Sequence, residues 1–144
     1  MRRKIAKSKQ RARSFKIAAP SKPAPAAVDA PTRLLGILTS GERKTYPMAS
    51  GLMDYFPDAL AAVSHVSYLG NQKHNPGEPL HWARGKSMDH ADCAMRHLQE
   101  RGTLDPEGVR HTAQLAWRAL ALLQEELEAA YGLPAPRGAS SDDA

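Results

Sequence analysis

The segment from Asp105 to Gly132 constrains this chain more than any other part of it. Asp105-Pro106-Glu107 is a helix-start signal, with Asp as the cap and Pro suited to the first helical position. Val109, Ala113, Ala116, Leu120, Leu123 and Leu127 then recur at helical spacing, and the next glycine is Gly132. This pattern predicts one long helix ending at Tyr131. Ala116, Ala119, Leu120, Ala121, Leu122 and Leu123 make it apolar around most of its circumference, as in a helix buried on two sides. The chain must therefore place other elements, or other copies of itself, against both of those sides.

Two shorter helices can supply cover. Asp54-Tyr55-Phe56-Pro57-Asp58 puts Pro near a first turn and acids at the positive end of a helix dipole. Leu60, Val63, Val66 and Leu69 follow every three residues, widened by Ala61 and Ala62, so a helix is expected from about Pro57 to Leu69 with Gly70 closing it. A second is expected from about Ser87 to Arg101, capped by Ser87 or Asp89, with Ala91, Ala94, Met95 and Leu98 inward and Gly102 at its end. Before them, Gly36, Gly41, Pro47 and Gly51 break residues 32–53 into pieces that read as loop with one short strand. Between them, Gly70 to Gly85 is rich in Gly and Pro yet carries Lys73, His74, His81 and Trp82. A connection of that length with an indole in it reads as a functional loop.

The fold class expected is all-α, a small three-helix core spanning residues 32–132, with a frayed polar end over 133–144. With 144 residues there is room for one modest domain. A core of fewer than about 80 ordered residues seldom yields more than a few kcal/mol, so a homo-oligomer is expected to cover the remaining apolar surface.

Charge separates the first residues from the rest. The formal net charge is +5, but Met1 to Lys22 holds nine Lys and Arg and no acid, which leaves 11 basic against all 15 acidic residues, −4, from Pro23 onward. Residues 1–31, continuing through a Pro/Ala stretch, hold too little apolar surface to offset the entropy of ordering and read as a disordered basic arm. Such an arm binds phosphates without sequence preference, which makes non-specific nucleic acid a candidate partner. No apolar run of about seven residues follows the basic start, as an export signal requires. Apolar runs such as Ala119 to Leu123 fall far short of the roughly 18 residues that span a bilayer, so no membrane association is expected. The single Cys93 rules out an intramolecular disulfide and a cysteine-cluster zinc site, and suits a reducing cytoplasm.

Several residues carry chemistry. Asp89 and Asp92, three apart, project from one helix face and suit a hard cation such as Mg²⁺ held against phosphates, or else form a surface ion pair with Arg96 four residues on. His90 and His97 lie two turns apart, with Arg96 beside His97; Arg and His at a cleft contact phosphate as fork and as proton donor. His111, Gln114 and Arg118 make a polar line on the apolar third helix, either its solvent side or a face toward the cavity of Arg96 and His97. A contiguous His-Asp pair, a Gly-rich phosphate loop, a nucleophile elbow and a His-Glu-x-x-His pattern are all absent.

Tyr55 to Leu60, Tyr68 to His74, Trp82, Ala94 to Leu98 with Arg96-His97, and Gly108 to His111 with Ala113, Ala116 and Ala119-Leu120 together resemble a bacteriophage family. That family is the dATP/dGTP diphosphohydrolase N-terminal domain, similar to the all-α MazG-like nucleotide pyrophosphatases, and the resemblance covers about Tyr46 to Glu128. It implies nucleotide metabolism in a host cytoplasm: hydrolysis of a purine deoxynucleoside triphosphate to monophosphate and pyrophosphate, with Mg²⁺. It also implies roles for residues. Asp89, Asp92 and His97 would be catalytic, with Asp89 and Asp92 as metal ligands, and Lys73, His74, Trp82, Arg96, His111, Gln114 and Arg118 would bind substrate. The MazG-like group uses two acidic pairs on neighbouring helices, whereas here Asp89/Asp92 stands alone in a central helix and Glu125/Glu128 lies near the far end of the last. A non-catalytic nucleotide-binding module, a sponge or regulator, and a nucleic-acid-associated protein acting through its arm therefore stand beside the enzyme reading.

The arm gives a direct expectation. Retention on DNA should fall by orders of magnitude between about 50 and 200 mM salt and vanish when residues 1–22 are deleted; retention by the truncated chain would contradict it.

Overall fold

The computed structural model describes residues 33–140, so the basic arm lies outside the described residues. The described chain is helical, in agreement with the all-α expectation. It opens with two single helical turns, α1 (Leu34–Ile37) and α2 (Ser40–Arg43), and a wide turn over Ala49–Met53. The short strand expected in this stretch is absent from it. Thr39 accepts from the backbone N–H of Glu42 while the Glu42 carboxylate accepts from the N–H of Thr39, and this reciprocal cap closes a helical turn in its place.

Three longer helices follow: α3 (Pro57–His74), α4 (His90–Gln99) and α5 (His111–Tyr131). The fold centres on α5, which packs against α4 most extensively and against α3 next. This is the two-sided burial that its apolar circumference requires. Pro57 opens α3 as expected, but the helix runs through Gly70 for one more turn, which carries the buried Asn71. A glycine weakens a helix without ending it when the turn beyond is held by other contacts. The start of α4 is later than expected because the Asp89 carboxylate turns toward Ser87, Cys93 and Arg96 rather than capping a backbone N–H.

The long helix also starts later, at His111. Asp105 does cap, but it caps a turn: its Oδ1 accepts from the N–H groups of Glu107 and Val109, and Gly108 at φ 81° reverses the chain. At the far end Gly132 takes the left-handed conformation, φ 62°, and terminates α5 where expected. Beyond it the chain returns. Ala139–Ser140 (β2) pairs in parallel with Trp82–Ala83 (β1), and a short 3₁₀ turn over Arg84–Lys86 leads from β1 toward α4. The segment expected to be a frayed end is thus tied, through residue 140, to the loop that carries Trp82.

The core is thin. Among the described residues the buried apolar side chains are Cys93, Ala113 and Ala121, while Tyr46, Met48, Met53, Tyr55, Phe56, Leu120 and Leu123 remain exposed. Among the described residues no helix is long and apolar enough to cross a membrane.

Gly70 within α3 and Gly132 at the end of α5 have opposite signs in stability. A Cβ at position 70 meets nothing within 4 Å, so Gly70→Ala should stabilise by about 0.5–1 kcal/mol. Gly132→Ala, at positive φ, should destabilise by about 1 kcal/mol. Urea titration of the two variants reads both, and equal signs would contradict the assignment.

Candidate functional site

A cleft of about 870 Å³ opens between the end of α3, the loop after it, the Asp105 turn and the face of α5 turned toward α3. Its shape begins with Asn71. Buried at 4% exposure, Asn71 donates to the carbonyl oxygen of Glu78, and its Oδ1 accepts from the N–H of His81 and from Asn75. One amide therefore folds the loop back onto α3 and delivers Trp82 to the cleft. Arg84 stacks over the Trp82 ring at 4.4 Å and forks onto Glu128 at 2.7 and 2.8 Å, fixing β1 to the end of α5. The Glu128 carboxylate is held below its usual pKa range, chiefly by that fork.

Trp82 meets Trp117 edge to face at 5.8 Å between centroids, and His90 approaches both rings, at 5.8 and 6.0 Å. The Trp117 indole N–H donates to Ser67 Oγ at 2.8 Å, locking α5 to α3. His90 is 2% exposed. Its Nδ1 lies 3.1 Å from Arg118 Nη1, and because a guanidinium only donates, Nδ1 accepts and the imidazole proton sits on Nε2. Burial pushes the His90 pKa down and keeps the ring neutral, in spite of Glu125 at 3.7 Å from Nε2. Arg118 Nη1 also donates to Ser87 Oγ at 2.6 Å. Those bonds use one terminal nitrogen of Arg118, which leaves its other N–H groups for a ligand.

Five of the residues singled out from sequence line the cleft together: Lys73, His74, Trp82, Gln114 and Arg118. The polar line on α5 divides. Gln114 and Arg118 face the cleft, with Gln114 donating to Asp105 at 2.7 Å, while His111 turns to His97, the two Nδ1 atoms 3.0 Å apart. Asp89, Asp92, Arg96 and His97 are outside the cleft lining. Arg96 pairs with Asp89 at 2.9 Å rather than with Asp92, because Asp89 sits just before the helix and folds back over its first turns. Hydrogen bonds from Arg96, Ser87 and Cys93 hold the Asp89 carboxyl well below the usual carboxylate range. His90 and His97 do not act as one face: His90 joins the aromatic cluster and His97 the His111 pair. Trp117 was missed from sequence because an aromatic at helical spacing reads as core. Ser67 and Asn71 gave no signal beyond their polarity, and Ser87 read only as a helix cap.

The fold and cleft define a small all-helical protein with an aromatic wall and a cationic rim. Residues 39–131 match the family described as dATP/dGTP diphosphohydrolase, N-terminal, well over half of the chain, and the chain belongs to that family. No curated protein and no solved structure matches it. Mg²⁺, which the family resemblance implies, needs oxygen ligands that are free to turn toward it. In the cleft, Asp105 is engaged by two backbone N–H groups and Gln114, and Glu107 by Lys73 at 3.3 Å. Asp89 is engaged by Arg96, and Glu128, one of the second acidic pair, by Arg84. Among the described residues no three of His, Cys, Asp or Glu converge as a metal-holding group. Asp89 and Asp92 lie off the cleft lining, so as placed a Mg²⁺ held against phosphates in the cleft would lack the two carboxylates that the resemblance assigns to it.

The neutral histidines set a pH dependence. His90 and His97 are both shifted below 6.5, first by burial, and for His97 next by His111. The unfolded chain then binds more protons, so the stability they contribute is complete above pH 6.5 and is lost as pH falls through each folded-state value. The melting temperature should fall from pH 7.5 to 5.5, and the fall should be smaller in His90→Asn; a rise over that range would contradict the assignment.

Proposed function

We propose that this chain binds a purine deoxynucleoside triphosphate in the α3–α5 cleft and serves as the nucleotide-recognising part of a dATP/dGTP diphosphohydrolase system. The observation that carries this reading is the joint presence of Trp82, Trp117, Lys73, Lys86 and Arg118 in one cleft of about 870 Å³. An aromatic wall suits the face of a purine, where base stacking is worth about 1–3 kcal/mol. Arg118 offers N–H groups to phosphate oxygens, and Lys73 and Lys86 add positive charge without fixed geometry. The family description supports a purine deoxynucleotide as the ligand and cleavage to monophosphate and pyrophosphate as the reaction served.

Recognition without self-contained turnover is favoured by the acids. Those in the cleft are engaged by Gln114, Lys73 and backbone N–H groups, and Asp89 and Asp92 lie off it. The exposed Tyr55, Phe56, Leu120 and Leu123 support association with further copies of the chain, through which other carboxylates would reach the cleft.

Calorimetric titration with dGTP and dATP tests the reading. Saturable binding is expected, weakened at least tenfold by Arg118→Gln, since a hydrogen bond to a charged group is worth about 1.5–3 kcal/mol. Arg96→Gln, off the cleft and joined to Arg118 only through Asp89 and Ser87, should weaken binding less than Arg118→Gln does. Binding lost in Arg96→Gln and retained in Arg118→Gln would overturn the assignment of the cleft. Pyrophosphate release from dGTP by the purified chain with Mg²⁺, abolished by Asp92→Ala, would restore the enzyme reading.

A further inference from the structure

The His97–His111 pair stands apart from the lining of the cleft. His97 lies in the last turn of α4 and His111 is the first residue of α5, so two elements bring the rings together. Their Nδ1 atoms are 3.0 Å apart, their centroids 5.3 Å, and the rings are tilted by 40°. Both are half-buried, which keeps an edge of the pair within reach of solvent.

Two nitrogens at that distance need something between them. In the metal-free protein it is one proton, donated by one ring and accepted by the other. On a tetrahedral metal with N ligands at about 2.0–2.1 Å, two imidazole nitrogens are on the order of 3.3 Å apart, so a small movement of either ring exchanges the shared proton for a shared metal. We infer that His97 and His111 form a two-imidazole site for a borderline divalent transition metal such as Zn²⁺, bound through both Nδ1 atoms and open to water in its remaining positions.

The donor chemistry selects the ion. Imidazole suits Zn²⁺, Ni²⁺ and Cu²⁺, whereas Mg²⁺ takes oxygen ligands, so this site is distinct from the Asp89/Asp92 pair in both place and preference. The surrounding charge is mixed. Asp105 favours a cation at His97, while Arg96 and Arg118 oppose one. With two protein donors rather than the three or four of closed sites, the site is open and exchangeable. Its direct effect is to join the end of α4 to the start of α5, the closest helix pair of the fold.

The test is calorimetric titration of the full chain with ZnCl₂ at pH 7.5, beside the variants His97→Gln, His111→Gln, His74→Gln and Asp92→Asn. Expected are one Zn²⁺ per chain, at least a tenfold loss of affinity in each of the first two variants, and less than twofold change in the others. No stoichiometric binding, or binding unchanged in His97→Gln and His111→Gln, overturns the proposal, as does a tenfold loss in Asp92→Asn. Should either histidine variant fail to fold, long-range ¹H–¹⁵N spectra of the wild-type imidazoles give the same decision. Zn²⁺ should shift Nδ1 of His97 and His111 and spare their Nε2 atoms; coordination through Nε2, or no shift, overturns it.

Discussion

Trp82, His90 and Trp117 meet at centroid separations of 5.8 to 6.0 Å, and most of the architecture depends on that meeting. The three rings come from β1, the first turn of α4 and the second turn of α5. Aromatic pairs in this geometry contribute about 0.5–1.5 kcal/mol each beyond the area they bury. That matters in a protein whose buried apolar side chains, among the described residues, are Cys93, Ala113 and Ala121. The cluster replaces the aliphatic core that the chain lacks. Its polar edges tie it to the surrounding elements: the Trp117 N–H reaches α3 through Ser67, and His90 Nδ1 accepts from the guanidinium that faces the cleft.

A chain of hydrogen bonds runs outward from this cluster. Arg118 donates to Ser87, Ser87 to Asp89, and Asp89 accepts in turn from Arg96. The position of Arg118 in the cleft is thereby coupled to residues on the outer side of α4 that do not line it. Asp89 and Arg96 are connected to the site as supports. The family resemblance, rather than their spacing, made them look like its centre.

How much was legible follows from the range of each interaction. The three helices were, because Leu60/Val63/Val66 and Leu120/Leu123/Leu127 repeat locally and Pro57 and Gly132 mark ends by backbone preference alone. Boundaries at Ser87, Asp105 and Gly70 shifted because side-chain hydrogen bonds compete with capping there, or because Asn71, beyond the glycine, is held by the loop. The pairing of β1 with β2 joins residues more than fifty apart, and no local pattern at Trp82 or Ala139 announces it. Lys73, His74, Trp82, Gln114 and Arg118 were found because charge and aromatic character in a Gly/Pro-rich loop or on an apolar helix is chemically conspicuous. Asp89, Asp92 and Arg96 share a helix face, and a shared face does not say which neighbour that face looks toward.

The central claim is that a purine nucleotide lies against the aromatic wall of the cleft. The chain has two tryptophans, Trp82 and Trp117, and both line it. Intrinsic tryptophan emission followed during titration with dGTP therefore reports on that wall and on nowhere else in the molecule. Saturable quenching with the same midpoint as calorimetric binding is the predicted result. Saturable heat with unchanged emission would put the nucleotide elsewhere and contradict the account.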